Sequence, residues 1–220
     1  MLAGRRVLSD FFLVFSMSET LTLSAAAPVR WLSSARLPTR HGAFTAHAFA
    51  ADGVEHLALT VGVLDPARPA LVRLHSECLT GDVLGSRRCD CGEQLDQALQ
   101  RIQAEGVGVL LYLRGHEGRG IGLGHKLSAY RLQEQGLDTV EANLALGLPV
   151  DSRDYRAAAA MLQALGVRQV RLLSNNPRKL AALDAAGLEV VERVALTTEA
   201  QADNRRYLDA KRTRLGHWLP

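Results

Sequence analysis

Residues 71–106 read Leu71-Val-Arg-Leu-His-Ser-Glu-Cys-Leu-Thr-Gly-Asp-Val-Leu-Gly-Ser-Arg-Arg-Cys-Asp-Cys-Gly-Glu-Gln-Leu-Asp-Gln-Ala-Leu-Gln-Arg-Ile-Gln-Ala-Glu-Gly106. The hydrophobic period changes inside this stretch, and the change decides the fold class. Leu71 to Glu77 reads as a strand. After Gly92, Leu95, Ala98, Leu99 and Ile102 recur at helical spacing, and Gly106 is placed to end the helix. Between strand and helix lie Cys78, Cys89 and Cys91, all the cysteines of the chain, with His75, Glu77, Asp82 and Asp90 among them. Three thiolates form a soft donor set that suits zinc. On a four-coordinate ion they leave one position for water, whose pKa falls to about 7 there. The spacing is not that of a paired-knuckle structural site, so three unrelated buried thiols are the competing explanation.

Upstream, Leu37-Pro-Thr-Arg-His-Gly-Ala-Phe44 begins the folded part. Thr45 to Phe49 and His56 to Val63 read as strands around the turn Ala51-Asp-Gly53. Residues 1–34 stand apart as a poorly ordered extension. Arg5-Arg6 and Phe11-Phe-Leu-Val-Phe15 mimic a signal peptide, but Asp10 interrupts a short apolar run, so translation is expected to start at Met17. Residues 17 to 34 are rich in Ser, Thr and Ala and are expected to lack order.

Downstream, Val107 to Leu113 is an apolar strand. Ile121 to Gln135 reads as a helix with Leu123, Leu127 and Tyr130 on one face. Asp151 or Ser152 is placed to cap a helix carrying Tyr155, Ala159, Leu162 and Leu165. Val167 to Leu173 is a strand, Pro177 opens a helix running to Ala186, and Leu188 to Leu196 is a further strand. A β-rich N-terminal part followed by alternating helices and strands predicts an α/β (α+β) fold, with one domain over residues 35–217.

With 220 residues, 47% of them hydrophobic and 22% charged, the chain has the composition of a soluble globular protein. The net charge of +3 is mild. No basic run with interleaved aromatics points to nucleic acid, and no apolar run reaches the length of a membrane span. An odd number of cysteines argues against a disulfide framework, and free thiolates serving a metal argue for the cytoplasm.

The loop Gly115-His-Glu-Gly-Arg-Gly-Ile-Gly-Leu-Gly124 joins a strand to a helix, where backbone N–H groups can approach a phosphate or a purine edge. Gly118, Gly120 and Gly122 alternate instead of following G-x-G-x-x-G, and Asp138 follows a helix, so a dinucleotide fold is excluded. There is no P-loop motif either.

The segment Arg73 to Leu95 resembles the zinc-binding core of the GTP cyclohydrolase II family. The resemblance continues through Tyr112-Leu-Arg-Gly-His-Glu-Gly-Arg-Gly-Ile-Gly-Leu123, Asp138-Thr-Val-Glu-Ala-Asn143, Leu148-Pro-Val-Asp-Ser-Arg-Asp154 and Leu173-Ser-Asn-Asn-Pro-Arg-Lys179. It ends near Tyr207-Leu-Asp-Ala-Lys211 and Leu215-Gly-His217. It implies a riboflavin-pathway hydrolase that opens the imidazole ring of GTP and releases formate and pyrophosphate. One zinc per subunit would sit on Cys78, Cys89 and Cys91, Mg²⁺ would neutralise the triphosphate, and the enzyme would be a homodimer. Substrate-binding positions would be Arg73, Leu74, His75, Ser76, Glu77, Gln94, Glu117, Gly118, Arg119, Thr139, Ser174 and Lys179. Of these, Glu117 would recognise the guanine edge and Arg119 would face phosphate. Ser174 stands where the family usually has Thr. Tyr130 would complete ring hydrolysis. Asp151 and Arg153 would act on the α-phosphate, Arg153 either as a nucleophile with Asp151 as its proton acceptor or as an electrostatic stabiliser. Many family members carry dihydroxybutanone phosphate synthase ahead of this domain, and the stretch before Leu37 is too short for it, so a monofunctional form is expected. Two alternatives stay open: an enzyme stopping at the formylated ring-opened product or at pyrophosphate removal, and a non-catalytic zinc or nucleotide-binding protein.

Overall fold

The strand β4 (Ala70–Ser76) is the axis of the protein, whose structure, a computed structural model, describes residues 29–219. The signal-like segment and the Met17 start lie outside the described residues. All of β4 but Ser76 is buried, as in a strand covered on both faces. It pairs in parallel with β5 (Gly108–Leu113) on one side and β6 (Gln169–Leu173) on the other, and β6 pairs in parallel with β7 (Glu189–Val194). Beyond β5 the pairing becomes antiparallel through β3 (Val54–Val61), β2 (Gly42–Ala51) and β1 (Arg30–Thr39). Among the described residues the result is a seven-stranded mixed sheet in the order β1-β2-β3-β5-β4-β6-β7, an α/β fold with a β-rich N-terminal part. The β2–β3 hairpin turns through Asp52 (φ 50°) and Gly53 (φ 76°), the two left-handed residues that a tight hairpin demands.

The helices are α1 (Leu79–Asp82), α2 (Cys91–Glu105), α3 (Gly122–Glu134), α4 (Thr139–Ala145), α5 (Arg156–Ala164), α6 (Pro177–Ala185) and α7 (Arg205–Leu215). Strand alternation splits the core in two. Val72, Leu74, Val109 and Leu111 pack against Met161 and Leu162 of α5 and Leu183 of α6. Leu71 and Leu110 face the other way, onto Ala98 and Ile102 of α2 and onto Phe44. From β4 the chain goes first to β5 on one side and later to β6 on the other. The strand order therefore reverses at β4, and crevices of α/β sheets form outside the carboxyl ends of strands at such a switch point. The loops after β4, β5 and β6 carry the cysteine stretch, the glycine loop and Ser174.

Several expectations need correction. Order begins before Leu37: Arg30–Thr39 is a full strand paired with β2 from Arg30↔Ala50 to Thr39↔Gly42. It is almost wholly exposed, so it lacks the buried alternation that marks a strand in sequence. The stripe of α3 does not face the core, since Leu123 is 38% and Leu127 52% exposed while Lys126 and Ala129 are buried. Neither Asp151 nor Ser152 caps α5, which starts at Arg156 after Tyr155; Asp154 accepts the Arg156 N–H at 2.8 Å instead. Helix α4 adds to the expected elements, and its signal is local. Asp138 accepts from Val140 and Glu141 N–H while Glu141 reaches back to Asp138 N–H, a capping box legible as Asp-x-x-Glu.

Candidate active site

The loop after β4 brings the three sulfurs together. Cys78 Sγ and Cys89 Sγ are 3.8 Å apart, and all three sulfurs lie within 4.8 Å of one another. Zinc–sulfur bonds of about 2.3 Å at tetrahedral angles place sulfurs about 3.8 Å apart, so this donor set fits zinc. Gly81 lies against the trio: a Cβ there would stand 2.8 Å from Cys89 Sγ and 3.2 Å from Cys78 Sγ. Hydrogen bonds from Cys89 and Cys91 lower the pKa of the Cys78 thiol. Its hydrogen bond to Cys78 pushes the Cys89 thiol up to about 11. Asp82 holds the loop. It accepts Cys78 N–H at 3.0 Å and Tyr112 Oη–H at 2.8 Å, and His75 Nε2 lies 3.0 Å from its other oxygen.

The cavity beside the sulfurs is also lined by Ser76, Glu77, His116, Gly118, Arg119, Lys126, Tyr130, Thr139 and Arg153. The glycine loop reaches it through a left-handed run at Gly118 (φ 60°), Arg119 (φ 65°) and Gly120 (φ 92°). For Arg119 such a backbone costs about 1–3 kcal/mol, and strain of this kind clusters at functional sites. Gly120 is required by close approach, since a Cβ there would meet Ser152 Oγ at 2.4 Å. Glu117 turns away from the cavity. Its carboxylate accepts Leu79 N–H at 2.7 Å and the Lys126 ammonium at 2.5 Å. Lys126 also donates to Thr80 Oγ1 at 2.8 Å and to Cys78 Sγ at 3.1 Å.

An adjoining cavity is cationic. Arg73, Arg119, Arg153, Lys179 and Lys211 line it, together with His75, Ser76, Gln94 and Ser174. Ser76, Cys91, Arg119, Arg153 and Tyr207 line both cavities. Burial, and then the neighbouring Arg73 and Arg153, hold Lys179 well below the usual lysine value. Its Nζ donates to Leu74 O at 2.7 Å. Arg73 Nε and Arg119 Nη2 are buried donors with no partner among the described residues, as expected where an anion would complete the site. Burial, then Arg153 and Lys179, push His116 down to about 4, so its ring is neutral near pH 7, with Nδ1 3.1 Å from Ser76 Oγ.

Asp151 and Arg153 lie in the segment before α5 and form a fork: Nε donates to one carboxylate oxygen at 2.9 Å and Nη2 to the other at 2.8 Å. The side chains are 9% and 11% exposed. Arg178 pairs with the same carboxylate at 2.8 Å. Burial pushes the Asp151 carboxyl up, but the Arg153 fork outweighs it and holds the group at about 2. The same carboxylate raises Arg153 above its usual value against the effect of burial.

The structure thus gathers nearly all the expected residues around two joined cavities. Three depart from that pattern. The Leu74 side chain is in the core, and only its carbonyl meets Lys179. Glu117 and Asp151 sit behind the wall, each acting on a cavity-lining cation. Sequence reasoning assigned no role to Lys126, His116, Tyr207 or Lys211. Lys211 pairs with Asp90, between two cysteines, at 2.5 Å. A basic residue on a helix carries no local sign that it is buried.

Residues 30–195 match the family model described as GTP cyclohydrolase II. The chain is 59% identical over 87% of its length to riboflavin biosynthesis protein RibBA of Salinispora tropica, of which it spans 48%. It therefore covers about half the length of that relative. It is 57% identical over 86% of its length to GTP cyclohydrolase-2 of Neisseria gonorrhoeae, of which it covers 95%. Among solved structures, the RibBX two-domain 3,4-dihydroxy-2-butanone 4-phosphate synthase of A. baumannii aligns with 78% of this chain and 41% of its own, at 22% identity and a TM-score of 0.44.

Proposed function

The chain belongs to the GTP cyclohydrolase II family, and from that premise we propose that it opens the imidazole ring of GTP. The products are formate, pyrophosphate and 2,5-diamino-6-(5-phosphoribosylamino)pyrimidin-4(3H)-one, in riboflavin biosynthesis. The observation that carries this reading is the junction of a three-sulfur cavity with a five-cation cavity through shared walls. A purine nucleoside triphosphate has the matching parts, a flat base and a chain of negative charge.

Cys78, Cys89 and Cys91 would hold zinc, which supplies Lewis acidity for water activation when bound. Arg73, Arg119 and Lys179 hold the triphosphate, where Mg²⁺, when bound, would supply charge neutralisation for the departing pyrophosphate. Ser76 and Ser174 offer hydroxyls at the same end. Tyr130 stands in the cavity of the sulfurs, and burial raises its phenol above the usual value, so it stays protonated and donates a hydrogen bond to the opening ring. Of the two roles open to Arg153, charge stabilisation on the α-phosphate is favoured. The fork with Asp151 keeps the guanidinium charged, the opposite of what a nitrogen nucleophile needs. For Glu117 to read the guanine edge, its carboxylate has to give up Leu79 N–H or Lys126.

We assign the protein to the cytoplasm, where thiolates stay reduced, and to a homodimer; among the described residues no helix is long and apolar enough to cross a membrane. The deciding experiment measures formate and pyrophosphate from GTP with Mg²⁺, alongside metal content. Equal release of the two, lost in metal-free Cys89→Ser, is expected. Pyrophosphate alone means a truncated reaction. GTP binding with no ultraviolet change in any condition sinks the enzymatic reading.

A further inference from the structure

We propose that Lys126 is a positioning residue of the metal centre: its ammonium hydrogen-bonds the Cys78 sulfur and offsets the charge of the three thiolates. This rests on the reading of Cys78, Cys89 and Cys91 as zinc ligands. Lys126 comes from α3, yet its Nζ reaches Cys78 Sγ at 3.1 Å, Thr80 Oγ1 at 2.8 Å and Glu117 Oε1 at 2.5 Å. All three ammonium protons are therefore directed, two at the cysteine loop and one at the carboxylate that fixes the group. Glu117 also takes Leu79 N–H at 2.7 Å, so the carboxylate ties Lys126 to the residue that follows the first cysteine.

The charge count explains why a cation belongs here. A divalent ion with three thiolates carries a net charge of −1 and Glu117 carries another, and buried negative charges are expensive unless a cation is paired with them. Lys126 stands between the two and hydrogen-bonds both. Among the described residues, Lys126 is the basic side chain hydrogen-bonded to a cysteine sulfur. It is buried, as are Cys78 and Cys89. An N–H···S bond draws charge off the sulfur, which leaves the bound metal more electrophilic and holds the sulfur in place. Groups that orient and polarise metal ligands in this way are worth about 10–100-fold in metal affinity.

The test uses the full-length protein, stripped of metal, with Zn²⁺ as the probe in competition against a chromophoric chelator and Co²⁺ as the spectroscopic probe. The variants are Lys126→Met, Lys126→Arg and the charge-balanced pair Lys126→Met/Glu117→Gln, with circular dichroism to check folding. Lys126→Met and the double variant are expected to bind Zn²⁺ about 10–100-fold more weakly. Their thiolate-to-cobalt charge-transfer band should move to longer wavelength, because a sulfur without its hydrogen bond gives up charge more easily. Lys126→Arg should recover most of both losses. If the double variant keeps wild-type affinity and band position, Lys126 serves only to neutralise Glu117 and the proposal is wrong. If the wild-type protein takes up neither metal, the zinc reading fails and this inference goes with it.

Discussion

Asp151→Asn addresses the buried fork between Asp151 and Arg153. Asparagine keeps the shape and one acceptor, but puts an amide donor where Asp151 Oδ2 now accepts from Arg153 and Arg178. Two figures bound the effect. Removing one partner of a fully buried ion pair costs about 3–5 kcal/mol. The carboxyl sits at about 2 against an ordinary 3.8, and at about 1.4 kcal/mol per tenfold change in proton affinity that is worth about 2 kcal/mol. The smaller figure is the better guide, because Arg153 lines a cavity and the asparagine retains one oxygen. Urea unfolding at pH 7 should therefore show a loss of about 2 kcal/mol, a midpoint lower by about 1 M with an unchanged slope. The pH dependence has a definite sign. A depressed carboxyl stabilises fully above about 3.8 and loses its contribution as pH falls through about 2. Wild type and variant should therefore converge only at the acid end. A double-mutant cycle with Arg153→Met should return a coupling of about 2 kcal/mol, within the range for residues in contact. A variant within about 0.5 kcal/mol of wild type at pH 7, or a purely additive cycle, refutes the argument.

Two more substitutions probe each end of the site. Gly81→Ala puts a methyl 2.8 Å from Cys89 Sγ. The fold should survive by circular dichroism while zinc affinity drops roughly tenfold or more, and wild-type affinity would show that the sulfurs yield freely. Lys179→Met removes a buried cation crowded by Arg73 and Arg153 but leaves Leu74 O without its donor. Those effects oppose each other, so stability without ligand should stay within about 1 kcal/mol, while calorimetry should show GTP binding weakened about tenfold through loss of one charge-assisted contact. Unchanged GTP affinity would refute the proposed phosphate contact of Lys179.

Much of this protein could be read from local pattern. The strand-to-helix switch around the cysteines, the Asp52-Gly53 hairpin and the helix opened by Pro177 each depend on neighbours a few residues apart, where backbone sterics and side-chain period act directly. The motif series around Cys78, Glu117, Asp151 and Ser174 falls in the loops that follow β4, β5 and β6 and in the segment before α5. Tertiary structure alone decided the remainder. Strand β1 is ordered by pairing with β2 and not by burial of its own side chains. The inward face of α3 carries Lys126 and Ala129, because α3 packs on the glycine loop and on α4, away from the apolar core, and meets the cysteine loop through Lys126. Whether an acid or base on that loop faces a ligand or another side chain depends on groups far along the chain: Lys126 meets Cys78, and Lys211 meets Asp90. Local pattern reports which residues share a face. It does not report what stands opposite, and pairing across the fold is what ties Glu117 to Leu79 and brings Arg178 onto the Asp151 carboxylate that already forks Arg153.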